Sequence, residues 1–321
     1  MMERPGNDGH RNCYFCGEEG YLYSGYQLGV DSVEARSVIR KSHEGWPGIP
    51  HGGVGMTSFI ELAHVLGADM NACPWSVRFR FGGDRLAIGD PVVLRARKVS
   101  DGIEGEIRGE ESRSPYLKGV YAGSCGDHPG GAVRDLVEVL GLPLKSSGTF
   151  AIPMFSSRLI FRREHQLYRR HRFFEIRETE PGLSYLITHH GDTRGLVHCD
   201  EMNSLGERGV HPGPLIAMLD ETLGWTAFMM VWQGGVTVEL ELCFLRPVRP
   251  VDAVTVMGLC TEIRGPHLKK IVRCHGGVFI TEGDTYRPAV YCRGRWLTDP
   301  GFKEKMLKYI VPGYASLQED E

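Results

Sequence analysis

HGGVGMTSFIELAHVLG occupies residues 51–67, and HPGPLIAMLDETLGWTAF occupies residues 211–228. Their leading histidines lie 160 positions apart in a chain of 321 residues, and Glu61 and Glu221 keep that separation. The blocks that follow agree as well. Trp75-Ser76-Val77-Arg78-Phe79-Arg80-Phe81 answers to Val236-Thr237-Val238-Glu239-Leu240-Glu241-Leu242, and Arg85 to Val92 answers to Arg246 to Val254. One shared tripeptide means little, but three matching blocks in one order mean a duplicated domain.

Each copy opens on a Gly/Pro turn and continues into a helix, Gly52 to Gly67 in the first and Gly213 to Val231 in the second. Both helices are apolar nearly all round, so each is expected to be buried rather than amphipathic. Strand-like runs separated by Gly, Asp and Pro follow. They are Trp75–Phe81, Val92–Val99, Gly105–Gly109 and Tyr116–Ala122, then Val236–Phe244, Ala253–Thr261, Leu268–Cys274 and Thr285–Trp296. Further strand candidates precede each helix at Gly20–Leu28, Val33–Arg40, Phe173–Glu178 and Leu183–His189. The arrangement expected is α+β, a buried helix wrapped by an antiparallel sheet, twice. The domains are read as 12–125 and 166–298, with a connector at 126–165 that carries a short helix, Ala132 to Gly141. Residues 299–321 form a tail with a helix candidate at Pro300–Val311.

Composition narrows the function. Charged residues make up 24% and hydrophobic residues 41%, with a formal charge of −3. No basic footprint of a nucleic-acid binder is present. The first residues are polar, and no uncharged apolar run reaches the ~18 residues of a membrane span. Nine cysteines, an odd number, are scattered from Cys13 to Cys292, which argues against a disulfide framework and for a reducing cytoplasm. Cys13 and Cys16 form the lone CxxC pair, with no second pair at matching spacing, so no metal is expected.

Cys13-Tyr14-Phe15-Cys16-Gly17 and Glu44-Gly45-Trp46-Pro47-Gly48-Ile49-Pro50-His51-Gly52-Gly53 resemble the opening of phenylacetate-degradation-type hotdog thioesterases. His211-Pro212-Gly213 through Gly224, followed by Val236-Thr237-Val238-Glu239-Leu240 and Phe244-Leu245-Arg246-Pro247, resembles the same family more closely. The resemblance implies two tandem hotdog domains packed as an internal pseudo-dimer, with active sites at their interface. It also implies an acyl-CoA or acyl-carrier thioester as substrate, no cofactor, and a homodimer of double hotdogs.

Thioester hydrolysis needs a donor for the negative charge growing on the carbonyl oxygen and a group that delivers water to the carbon. A helix start supplies the donor through its free N–H groups, and glycine lets substrate come close. A carboxylate inside an apolar helix, its pKa raised by desolvation, supplies the base or nucleophile. The family pattern sets that carboxylate nine residues after the histidine, at Asp220. Glu221 lies about 100° round the helix from it and reads first as structural.

The copies differ at these positions. The first has Gly52 after its histidine but Ile60 in the carboxylate position; the second has Asp220 but Pro212, which carries no N–H. In the family the donor and the carboxylate come from opposite units, so Gly52 is expected to face Asp220 in one working site, while the Pro212/Ile60 counterpart is dead or reassigned. Thr237 matches a family Ser/Thr that positions the water or the carboxylate. His51, Gly53, His43, Glu221 and Gly224 complete the candidate substrate contacts, although His51 and His211 read first as turn formers that bond backbone at the helix start. Gly45 stands where some relatives carry Asn or Gln. Phe228, Met229, Met230 and Trp232 are candidates for an acyl channel or for plain core. Arg78, Arg80, Arg246, Arg249, Lys269 and Lys270 are candidates for CoA phosphates or for a solvated sheet face. The alternative to an enzyme is an acyl-thioester-binding hotdog protein without turnover; a hotdog enoyl-thioester hydratase is a third reading.

Overall fold

The computed structural model describes residues 25–126, 130–143, 146–153, 171–180, 184–192, 210–249, 252–266 and 268–304. The CxxC pair at Cys13 and Cys16 and most of the tail lie outside these residues. The first part of the chain runs β1 (Tyr26–Leu28), β2 (Ser32–Val38), α1 (Gly52–Val65), β3 (Trp75–Phe81), β4 (Pro91–Val99), β5 (Gly102–Gly109) and β6 (Leu117–Ala122). It continues through α2 (Gly130–Gly141), β7 (Ser146–Pro153), β8 (His171–Glu180) and β9 (Ser184–Asp192). The last part is α3 (Pro212–Val231), β10 (Gly235–Phe244), β11 (Ala253–Arg264), β12 (Ile271–Glu282) and β13 (Thr285–Thr298).

The thirteen described strands form one antiparallel sheet in the order β1-β2-β4-β5-β6-β3-β10-β13-β12-β11-β9-β8-β7. From the middle outward the order is mirrored: β3, β6, β5, β4, β2 on one side and β10, β13, β12, β11, β9 on the other. The seam is the β3–β10 pair, where Phe79 lies opposite Leu240, its own counterpart in the repeat, and both are fully buried. At one end of the seam Trp75 and Phe244 stack with ring centroids 3.9 Å apart and planes 7° from parallel.

The two long helices form the elements expected of them. α1 is buried from Gly53 through Ala63, and α3 from Pro212 through Asp220 and again from Thr222 through Met229. α1 packs on β4, β5 and β6, whereas α3 packs on β9 through β13. The helices also pack on each other through small residues. A Cβ on Gly53 would lie 2.7 Å from that of Ala217, and a Cβ on Gly213 would lie 2.2 Å from Thr57 Cγ2. These are equivalent contacts of the two repeats, and the backbones can come this close only because both positions are glycine.

Three features depart from expectation. The connector contributes, besides its short helix, β7, an edge strand paired with β8, where no strand was anticipated. β12 runs well past Cys274 because its Gly276-Gly277 pair lets the strand continue between β11 and β13. Cys125 and Cys243 are joined by a disulfide, correcting the expectation of unpaired thiols: the strand order brings the end of β6 beside β10, with the two Cα atoms 5.6 Å apart. No described helix is long and apolar enough to cross a membrane.

Candidate active site

Asp220 is buried in the middle of α3, 6% exposed, and its carboxylate faces the start of α1. A methyl group on Gly52 would sit 3.1 Å from Asp220 Oδ2 and 3.1 Å from Phe81 Cζ. Thr237 Oγ1 donates to Asp220 Oδ1 at 2.7 Å. The Asp220 pKa is pushed up to about 7, first by burial and further by the neighbouring charge of Glu221, against the lowering effect of hydrogen bonds from Thr237 and from the Gly53 N–H. Tyr116 lies beside this carboxylate; burial and the Asp220 charge both push its hydroxyl pKa up, so it keeps its proton. The Tyr116 and Phe81 rings meet edge to face at 5.4 Å, with Phe81 set against Gly52.

Thr237 reaches Asp220 through a bulge. Leu240, Leu242 and Phe244 of β10 are buried, so strict alternation would send Thr237 outward with Glu239 and Glu241. The register against β13 shifts between Thr237 and Glu239, and Thr237 instead pairs with the inward-facing Trp296. One extra residue re-aims the hydroxyl into the interior. β3 pairs with β6 without such a shift, and Ser76, the counterpart of Thr237, donates outward to the Ser124 carbonyl at 2.6 Å.

The start of α1 is built by its preceding loop. His51 caps the helix, its Nδ1 accepting from Gly53 N–H at 2.9 Å. Among the described residues nothing accepts the Gly52 N–H, an orphan donor of the first turn. His43 is fully buried; its Nδ1 accepts from Arg40 N–H and its carbonyl accepts from His51 N–H. Burial first, and the Arg40 charge second, lower the His43 pKa to about 3, so the ring is neutral. Trp46 donates from Nε1 to the Gly235 carbonyl at 2.9 Å and packs against Trp225, Phe228 and Phe302. The loop that presents Gly52 is thereby fastened to β10 and α3 of the other repeat.

The remaining candidates are spread more widely. Gly224 lies one turn after Asp220 on α3, where a Cβ would meet Nε1 of Trp296, the strand partner of Thr237, at 3.2 Å. Glu221 is half-buried beside Asp220. Phe228 and Met229 are buried, whereas Trp232 is 53% exposed at the left-handed residue that ends α3. Arg249 pairs with Asp252 at 2.9 Å. Sequence reasoning did not single out Tyr116 or the anchoring role of Trp46; an aromatic at a strand start and a tryptophan in a turn carry no pattern that separates site from core.

At the counterpart position the chemistry is missing. Pro212 begins α3 without an N–H, Gly213 N–H donates to His211 Nδ1 at 3.0 Å, and Ile60 is wholly buried. Glu61 points to His211, Oε2 to Nε2 3.8 Å. The crevice left there, between His64, Trp75, Pro212 and Arg246, encloses only 30 Å³, room for one or two waters.

The fold is similar to that of solved structures named as thioesterases. The TesB protein of Mycobacterium avium subsp. paratuberculosis superposes with a TM-score of 0.51 at 13% identity, over 86% of this chain and 96% of that one. A candidate thioesterase II from Thermobifida fusca gives 0.51 at 13%, over 85% and 94%. A candidate thioesterase from Novosphingobium aromaticivorans gives 0.52 at 9%, over 84% and 96%. No family model and no curated protein sequence matches the chain. At these identities the likeness establishes the fold, and activity has to be argued from the site.

Proposed function

We propose that this protein hydrolyses acyl thioesters, acyl-CoA or an acyl-carrier conjugate, at one composite site between two tandem hotdog domains packed as an internal pseudo-dimer. The observation that carries this reading is the Asp220 carboxylate, buried against the start of α1 and tuned to about 7. In the proposed reaction the thioester carbonyl oxygen lies at the first turn of α1 and accepts the Gly52 N–H. The helix dipole adds to the stabilisation of the developing oxyanion. Ionised Asp220 takes a proton from water as the water attacks the carbonyl carbon, and the C–S bond breaks to release acid and thiol. Thr237 holds Asp220 Oδ1, leaving Oδ2 on the side of Gly52 for the water. His51, Gly53 and His43 shape the donor turn, and Glu221 lifts the Asp220 pKa. Gly224 serves packing near the acyl end. No cofactor enters this scheme, and the expected assembly is a homodimer of double hotdogs.

Loss of the N–H at Pro212 and of the carboxylate at Ile60 favours a second reading, a protein that binds acyl thioesters without turning them over. Thiol release from a panel of acyl-CoAs separates the two. Hydrolysis of some member, lost in Asp220→Asn, supports the enzyme. A raised melting temperature with an acyl-CoA and no thiol release supports the binder.

A further inference from the structure

The outer face of the sheet carries a groove of 470 Å³ that the proposed reaction does not use. Alternation along β3, β10, β13 and β12 sends two rows of charged side chains to that face. Strand register aligns Arg80, Glu239, Arg295 and Arg273 in one row, and Arg78, Glu241, Arg293 and His275 in the other. Each glutamate is clasped from both sides. Glu241 meets Arg78 at 3.4 Å and Arg293 at 3.0 Å, and Glu239 meets Arg80 at 3.1 Å and also Arg295. Beyond them Glu262 is shared by Arg273 at 3.0 Å and by Arg264. Three carboxylates thus serve six guanidinium groups on a chain whose formal charge is −3.

Two details show that the balance is incomplete. Arg295 and Arg273 are direct cross-strand partners, an arrangement of like charges that costs sheet stability. Arg295 Nε is shielded from solvent, and among the described residues no acceptor takes its proton. A purely structural ladder of ion pairs would alternate signs to its end. Here one row sets Arg295 against Arg273 before it closes on Glu262 of β11, the other sets Arg293 against His275, and both border an open groove; the rows lie two residues apart along the strands, about 7 Å. An anion that bridges them must carry charge over that span, and planar guanidiniums match phosphate oxygens in pairs.

We propose that this groove binds a chain of two or three phosphates, free or carried by a nucleoside. A di- or triphosphate supplies the negative charge the face lacks and separates Arg295 from Arg273. The Tyr291 ring, edge to face with His275 at 6.4 Å, flanks the groove where a base attached to the phosphates would lie. The proposal is independent of the thioesterase reading, because the groove lies on the opposite side of the sheet from Asp220.

The test is calorimetric titration and thermal shift of the full chain with inorganic tripolyphosphate and with ADP, each against potassium chloride at matched ionic strength. The expected result is a melting-temperature rise with tripolyphosphate that matched salt does not reproduce; tighter ADP binding than that of inorganic pyrophosphate assigns a nucleotide, and equal binding a free polyphosphate. Arg273→Gln should weaken binding at least tenfold while the unliganded variant melts close to the wild-type temperature, since relief of the Arg295 repulsion offsets the lost ion pair with Glu262. Asp220→Asn should bind as the wild type does. No shift beyond matched salt, an unchanged affinity in Arg273→Gln, or capture of an acidic protein in place of phosphates would overturn the proposal.

Discussion

The Oδ2 atom of Asp220 lies 3.1 Å from where a methyl group on Gly52 would sit, although the two residues are 168 positions apart in the chain. In the proposed site each repeat supplies the half that the other lacks, Gly52 against Pro212 and Asp220 against Ile60. Gly52→Ala keeps the N–H but fills the space between donor and carboxylate, crowding Phe81 as well. Thiol release should fall at least tenfold, since in the proposed reaction that space holds the thioester, and melting curves report how much the crowding of Asp220 and Phe81 adds. Pro212→Gly, on the other side, should leave turnover unchanged.

In the proposed reaction ionised Asp220 is the active form, so the rate should rise with pH through about 7 on a single-proton limb. Thr237→Val removes a hydrogen bond that lowers the Asp220 pKa. The limb should therefore move to higher pH, and Thr237→Ser should restore it. A pH–rate profile of kcat for the three proteins checks both statements.

The same carboxylate makes stability depend on pH. In the folded chain Asp220 keeps its proton up to about pH 7, whereas in the unfolded chain it is lost near the ordinary carboxylate value. Between those two values the folded state binds more protons, so stability falls as pH rises. Asp220→Asn removes this cost and should melt higher than wild type above neutrality, by a difference on the order of 4 kcal/mol at full ionisation. Below the unfolded pKa the two proteins should be equally stable. Melting curves across pH, run beside the activity assay, separate the loss of a catalytic group from a loss of folding.

The Cys125–Cys243 bridge closes a loop of 118 residues and ties the two repeats together beside the β3–β10 seam. On the chain-entropy account such a loop contributes about 5 kcal/mol. Dithiothreitol, or Cys125→Ser, should lower the melting temperature measurably, and the reductant should have no further effect on the variant. Equal melting with and without reductant would mean the bridge contributes nothing in solution.

Much of this arrangement was legible in the sequence. The repeat, the two buried helices and the complementary differences at positions 52, 60, 212 and 220 all follow from residue types at fixed spacing. Thr237 was reachable only through family likeness, because alternation from Leu240 and Leu242 sends it to the wrong face and the correcting bulge has no residue signature. Tyr116 approaches Asp220 only once β6 has paired with β3. The cysteine pair was hidden because residues 125 and 243 become neighbours through strand order alone. The arginine rows were visible as single charges, but their opposition across β12 and β13 is a matter of register.

The most direct test of the single composite site is steady-state thiol release by the wild type, Asp220→Asn and Glu61→Gln on the best acyl-CoA of the panel. Both carboxylates are buried in equivalent helices, yet only Asp220 faces a free helix-start N–H, so Asp220→Asn should lose at least a thousandfold in kcat while Glu61→Gln stays within a few-fold of wild type. Comparable losses in both variants, or full activity in Asp220→Asn, would contradict the account.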